Sequence, residues 1–296
     1  NVKRREDQTG TSMAIILPKE QLSTEKLTLA VLCNYCVPIL SGRLEIEISS
    51  EDGITERITA RNVREIISKS NWELIPKTIL PAWTTNGRMN ELVNLYETIQ
   101  FAESPEITKI VLGNPTPNKR PNTTEQFDKI LPKRDSNELL KVRDAFLGGS
   151  PIMVRGEIPV HHKDARGVEN GTYFLALRKC ESPDDAEAHF YREHISLPLN
   201  LDREPAHPGV SSLLLVGSAD EDNPNPLAEL LRSSEGPAHL KWDTRENGMK
   251  SQYEYGPSTI SFLKSLVGKI VARIVSIDTE REDIWTDIFS LGGKPE

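Results

Sequence analysis

A chain of 296 residues with 37% hydrophobic side chains can build two ordinary domains with packed cores. Its 44 acidic and 36 basic residues give a formal charge of -8, which argues against broad attraction to polyphosphate and favours a protein partner or a homodimer over nucleic acid. The longest apolar run, within residues 261–277, is broken by Lys264, Gly268, Lys269 and Arg273, so it falls short of the roughly 20 apolar residues that span a bilayer.

Three cysteines are too few for a disulfide framework, and the polar run at residues 1–8 lacks a secretory pattern. Both point to a cytoplasmic chain, and with Asn1 rather than Met opening that polar run, a preceding segment is an expectation. Residues 13–17, Met-Ala-Ile-Ile-Leu, read as a buried strand closed by Pro18. Ser23 or Thr24 caps a helix carried by Leu27, Ala30, Val31 and Tyr35 and stopped by Pro38. Residues 43–48 alternate as a half-buried strand before the turn Glu51-Asp52-Gly53, and residues 60–69 and 88–102 read as helices. Residues 113–132 have the composition of an exposed loop or linker, rich in Pro, Asn, Thr and Lys.

Beyond it, the pattern predicts a helix over 137–147 stopped by Gly148 and Gly149. Strands follow at 152–160, 172–178, 190–199 and 211–217, the last apolar enough for the centre of a sheet. A short helix starts at Pro226, and a long one opens near Pro257 with apolar residues from Ile260 to Ile274. The expected fold is α/β (α+β): mixed sheets packed by helices, two subdomains, and a long C-terminal helix docked on a strand-rich sheet. The expected divisions are 1–18, 19–112, 113–132, 133–277 and an acidic tail at 278–296.

Several constellations bear on chemistry. Cys33 and Cys36 have the spacing of thiol-redox or zinc sites. They lie near a helix C-terminus, where no dipole lowers a thiol pKa, and lack partners to complete a zinc set, which favours core packing. His161, His162 and Asp164, and Asp184, Asp185, Glu187 and His189, offer metal-ligand atoms. The first group reads as a solvated turn and the second as a charged loop or helix start. Ser211 and Ser212 precede a strand without the Gly-x-Ser-x-Gly elbow that would activate a serine, and no glycine-rich phosphate loop occurs. Residues 230–242 combine Arg232, Glu235, His239 and Trp242 around a helix break, making them the candidate functional surface; a tryptophan covering a sheet edge is the simpler use.

Residues 4–18, Arg-Arg-Glu-Asp-Gln-Thr-Gly-Thr-Ser-Met-Ala-Ile-Ile-Leu-Pro, resemble the end of the ATP-binding domain of the GHKL superfamily, the group of DNA gyrase B and histidine kinases. There a Thr-Gly-Thr element enters the last strand of the nucleotide-binding sheet, so the resemblance puts Gly10 and Thr11 at the edge of an ATP pocket. Residues 189–195, 235–242 and 255–260 look similar to the C-terminal region of large bacterial histidine-kinase-like ATP-binding proteins. The chain departs from the superfamily in lacking an asparagine-bearing Mg-binding helix and an Asp-x-Gly-x-Gly element. The resemblance therefore implies ATP and Mg held mainly by a preceding segment, and a chain that is part of an ATPase without being catalytic in isolation. On that basis the expected function is the transducer or regulatory half, coupling nucleotide state to a protein partner. A metal-dependent hydrolase centred on Glu235, His239 and Trp242 or on His161 and His162, and an interaction module using the linker and acidic tail, are the alternatives.

Overall fold

The computed structural model describes residues 23–49, 55–72, 86–116, 119–133, 136–180, 186–197, 209–217, 224–236 and 241–275. Strand β8 (Val210–Val216) is buried at every position and lies inside a six-stranded mixed sheet. The order is β3 (Thr108–Val111), β4 (Ile152–His161), β5 (Val168–Lys179), β8, β6 (Ala188–Arg192) and β7 (Ile195–Ser196). β3 runs parallel to β4 and β6 parallel to β8, while the remaining pairs are antiparallel.

Alternation along the strands divides the side chains between two cores. Leu175, Leu177, Phe190, Leu214 and Val216 face one; Ala176, Tyr191, Leu213 and Leu215 face the other. The first core is covered by α4 (Thr124–Ile130), α5 (Asn137–Leu147), α6 (Pro226–Ser233), α7 (Asn247–Gln252) and α8 (Gly256–Val275). The second is covered by α1 (Thr24–Leu40), α2 (Val63–Lys69) and α3 (Asn86–Gln100), with the hairpin of β1 (Ile46–Ser49) and β2 (Thr55–Ile58). The fold class expected from the sequence is thus present, with helices on both faces of the mixed sheet.

Local chemistry explains the main elements. The Ser23 side chain accepts from the Lys26 N–H, a cap worth about 1 kcal/mol. α1 continues through Pro38, where the sequence predicts its end. Pro38 removes an N–H and crowds the preceding turn, and the helix absorbs this as a kink, with Tyr35 at φ -127°, ψ 16°. Ser136 caps α5, and Asn225 caps α6 ahead of Pro226. Asn225 Nδ2 also donates to the Thr172 carbonyl at 2.6 Å, tying α6 to β5. Beside it, Gly171 permits the close approach of α6, since an added Cβ would lie 2.3 Å from Leu227 Cβ.

Other expectations change. The stretch 113–132 contains α4, whose Phe127 and Ile130 are buried; Phe127 stacks on Phe262 of α8 at 4.8 Å. Its apolar residues are spaced for one short helical turn, which the surrounding Pro and Asn obscure. The strand expected over 190–199 is interrupted, because Glu193 and His194 turn β6 back onto β7. The short elements β2, β3 and α7 were not expected. Residues 13–17, the turn at 51–53 and the tail at 278–296 lie outside the described residues.

Candidate functional site

Parallel strands β6 and β8 end side by side at Arg192 and Val216. Arg192 has the same face parity as Phe190, so the strand carries its guanidinium into the α6–α8 core, where the side chain is 2% exposed. A charge buried to this extent needs a partner. Glu235, just after α6, supplies it: Arg192 Nε donates to Oε1 at 2.7 Å and Nη2 to Oε2 at 2.9 Å, and the carboxylate side chain is fully buried. Burial alone would lower the Arg192 pKa, but the hydrogen bonds and negative charges of Glu235 and Glu193 raise it overall, so the guanidinium is permanently charged.

Trp242 completes this inner cluster. Its Nε1–H donates to Glu235 Oε1 at 3.2 Å, its ring meets Phe190 edge-on at 6.0 Å, and its carbonyl accepts from Lys264 of α8 at 3.0 Å. A bridge between Glu235 and Trp242 holds the two backbones together. Toward solvent, Glu193 joins both arginines, accepting from Arg192 Nη1 at 2.5 Å and from Arg232 Nη2 at 2.7 Å. Of the candidate surface, Glu235 and Trp242 are therefore brought into one cluster and Arg232 reaches it through Glu193. His239, Gly10 and Thr11 lie outside the described residues.

Glu193 has φ 56°, and among the described residues it alone combines positive φ with a side chain other than glycine's. This left-handed conformation costs a non-glycine residue on the order of 1 kcal/mol. Gly217 makes room for it: a Cβ at that position would approach Glu193 Cα to 2.9 Å. Neither Arg192 nor Glu193 was singled out from the sequence. The available signal was an arginine in register with buried Phe190, but its partner lies 43 residues away.

A second polar cluster occupies the other end of β6 and β8, on the α3 face. Arg88 of α3 donates to Glu187 at 2.8 Å, with 21% and 14% of the two side chains exposed. Arg178 of β5 lies 3.6 Å from Glu91 of α3. His189 Nε2 is 3.6 Å from Glu187 Oε2, and burial, assisted by the Arg88 charge, pushes the imidazole pKa down to about 4. Ser211 accepts from the Glu187 N–H at 3.1 Å, and Cys180 Sγ is 2.9 Å from its hydroxyl. Glu187 and His189 thus belong to a packed cluster rather than a charged loop or helix start; Asp184 and Asp185 lie outside the described residues.

The remaining candidates are structural in their contacts. His161 and His162 are buried, not solvated: the Glu254 N–H donates to the His161 carbonyl, His162 bridges to Tyr253, and His162 Nε2 lies 3.0 Å from Glu169. Burial lowers the His161 pKa despite the opposing charge of Glu254. Cys33 and Cys36 pack in the α1 core, where burial raises the Cys36 thiol to about 12 and leaves it unreactive at neutral pH. Among the described residues, no three His, Cys, Asp or Glu side chains gather as a metal site, and no helix is long and apolar enough to cross a membrane.

Compared with protein-family profiles, curated proteins and solved structures, the chain matches none.

Proposed function

We propose that this chain is the transducer part of a GHKL-type ATPase, relaying nucleotide state from a preceding ATP-binding segment to a protein partner. The observation that carries the reading is the Thr-Gly-Thr entry followed by an apolar run at residues 9–17, similar to the last strand of a GHKL nucleotide-binding sheet. The layout of the fold is compatible with that role. α1 begins at Thr24, six residues after Pro18, and buries Leu29, Leu32, Cys36 and Val37. A displacement arriving through residues 9–18 would therefore act first on α1, and then on the sheet through the core shared by α1, α3, β5 and β8. Such a relay requires rigid packing and differential contacts in two states, with no catalytic residue of its own.

The test compares the 296-residue chain with the product of its coding sequence extended upstream of Asn1, using a fluorescent ATP analogue with Mg. The expected result is saturable binding by the longer product, dependent on an asparagine-bearing helix and an Asp-x-Gly-x-Gly element, and no binding by this chain. A longer product without those elements, or one that does not bind, overturns the reading.

A further inference from the structure

Glu193 holds a backbone conformation suited to glycine, and its carboxylate lies between Arg192 Nη1 at 2.5 Å and Arg232 Nη2 at 2.7 Å. Backbone strain of this kind is retained where the residue has a task. The two arginines differ in exposure. Arg192 is fixed by two hydrogen bonds from its remaining nitrogens to buried Glu235, whereas Arg232 is 56% exposed on the surface of α6. The Glu193 side chain is itself 37% exposed, so water and solutes reach the bridged carboxylate. An exposed carboxylate–guanidinium contact of this type is weak and exchangeable, while the buried Arg192–Glu235 contact is not.

We propose that Arg192 and Arg232 form a carboxylate clamp, filled in this state by the chain's own Glu193, and that an acidic side chain of a protein partner takes its place. The clamp gives one donor from each arginine to the two oxygens of a single carboxylate, the geometry that Glu193 already satisfies. When Glu193 leaves, the buried Arg192 and the exposed Arg232 face the newcomer with one net positive charge beyond the Arg192–Glu235 pair. The β6–β7 turn would be free to relax its strained residue at the same time. The clamp stands independently of the transducer reading, since nucleotide plays no part in it.

The probe is a fluorescently labelled hexaglutamate peptide, titrated into the full chain at low salt and followed by anisotropy. Replacing the occupant by Glu193→Gln is expected to tighten binding about tenfold over the natural chain, and adding Arg232→Gln to abolish that gain. Glutarate is added as a competitor: weak competition assigns the clamp to a peptide carboxylate, and competition as strong as by unlabelled peptide assigns it to a small dicarboxylate. Glu193→Gly provides a second opening of the clamp with the turn unstrained, and near-UV dichroism verifies that each variant is folded. Equal binding by the natural chain and both Glu193 variants, or a gain that survives Arg232→Gln, overturns the proposal.

Discussion

The two faces of the central sheet are fastened by the same chemistry at different depths. On the α6–α8 face, Arg192 and Glu235 share two hydrogen bonds with side chains 2% and 0% exposed, and Trp242 closes over them. On the α3 face, Arg88 Nη1 meets Glu187 Oε1 at 2.8 Å with the side chains 21% and 14% exposed, and Arg178 Nε lies 3.6 Å from Glu91. The first face is also spanned by the 20-residue helix α8, the second by the 15-residue helix α3 with the kinked α1, the short α2 and a two-stranded hairpin. A buried, doubly bonded pair resists rearrangement because separating it strands two charges without water, while a pair that water reaches exchanges more readily. The α1–α3 face therefore carries the more water-accessible of the two fastenings.

Substitutions that break this contrast are ordered by depth. Glu235→Ala leaves Arg192 buried without its main counter-charge and is expected to cost about 3–5 kcal/mol in urea unfolding, whereas Arg192→Met with Glu235→Leu should restore much of that loss. Acid acts on the other face through His189. Its folded pKa of about 4 lies below the usual 6.5, so the unfolded chain binds a proton that the folded chain refuses between those values. Stability should therefore fall by about 3 kcal/mol as pH drops from 7 to 4, and a His189→Gln variant should show a flatter profile. Trp242→Phe removes the donor to Glu235 while keeping the ring contact with Phe190, for an expected loss of about 1–2 kcal/mol. Arg232→Gln, which breaks only the exposed bridge to Glu193, should cost less than about 1 kcal/mol.

Much of this architecture was legible in the sequence. The apolar run read at 211–217, the helix stop at Gly148 and Gly149, the helix start at Pro226 and the long periodic stretch that forms α8 all act locally, so their residues announce their elements. The short strand β3 was not legible, because four residues beside a charged turn have no period to measure and gain their conformation from pairing with β4. α4 was hidden by the Pro and Asn residues around it. Of the candidate site, Glu235 and Trp242 stood out as unusual residues at a helix break, but their partner did not. Arg192 is identified by a contact that spans 43 positions and exists only once α6 lies against β6. The burial of His161 and His162 depends likewise on the segment around Tyr253 and Glu254 folding back over β4.

The most direct measurement on the relay is hydrogen exchange by mass spectrometry on the upstream-extended product, with and without a non-hydrolysable ATP analogue. A transducer acting through the α1–α3 layer should change its exchange in residues 24–40 and 86–100 while residues 256–275 of α8 stay unchanged. Identical exchange in residues 24–100 with and without bound nucleotide would contradict it.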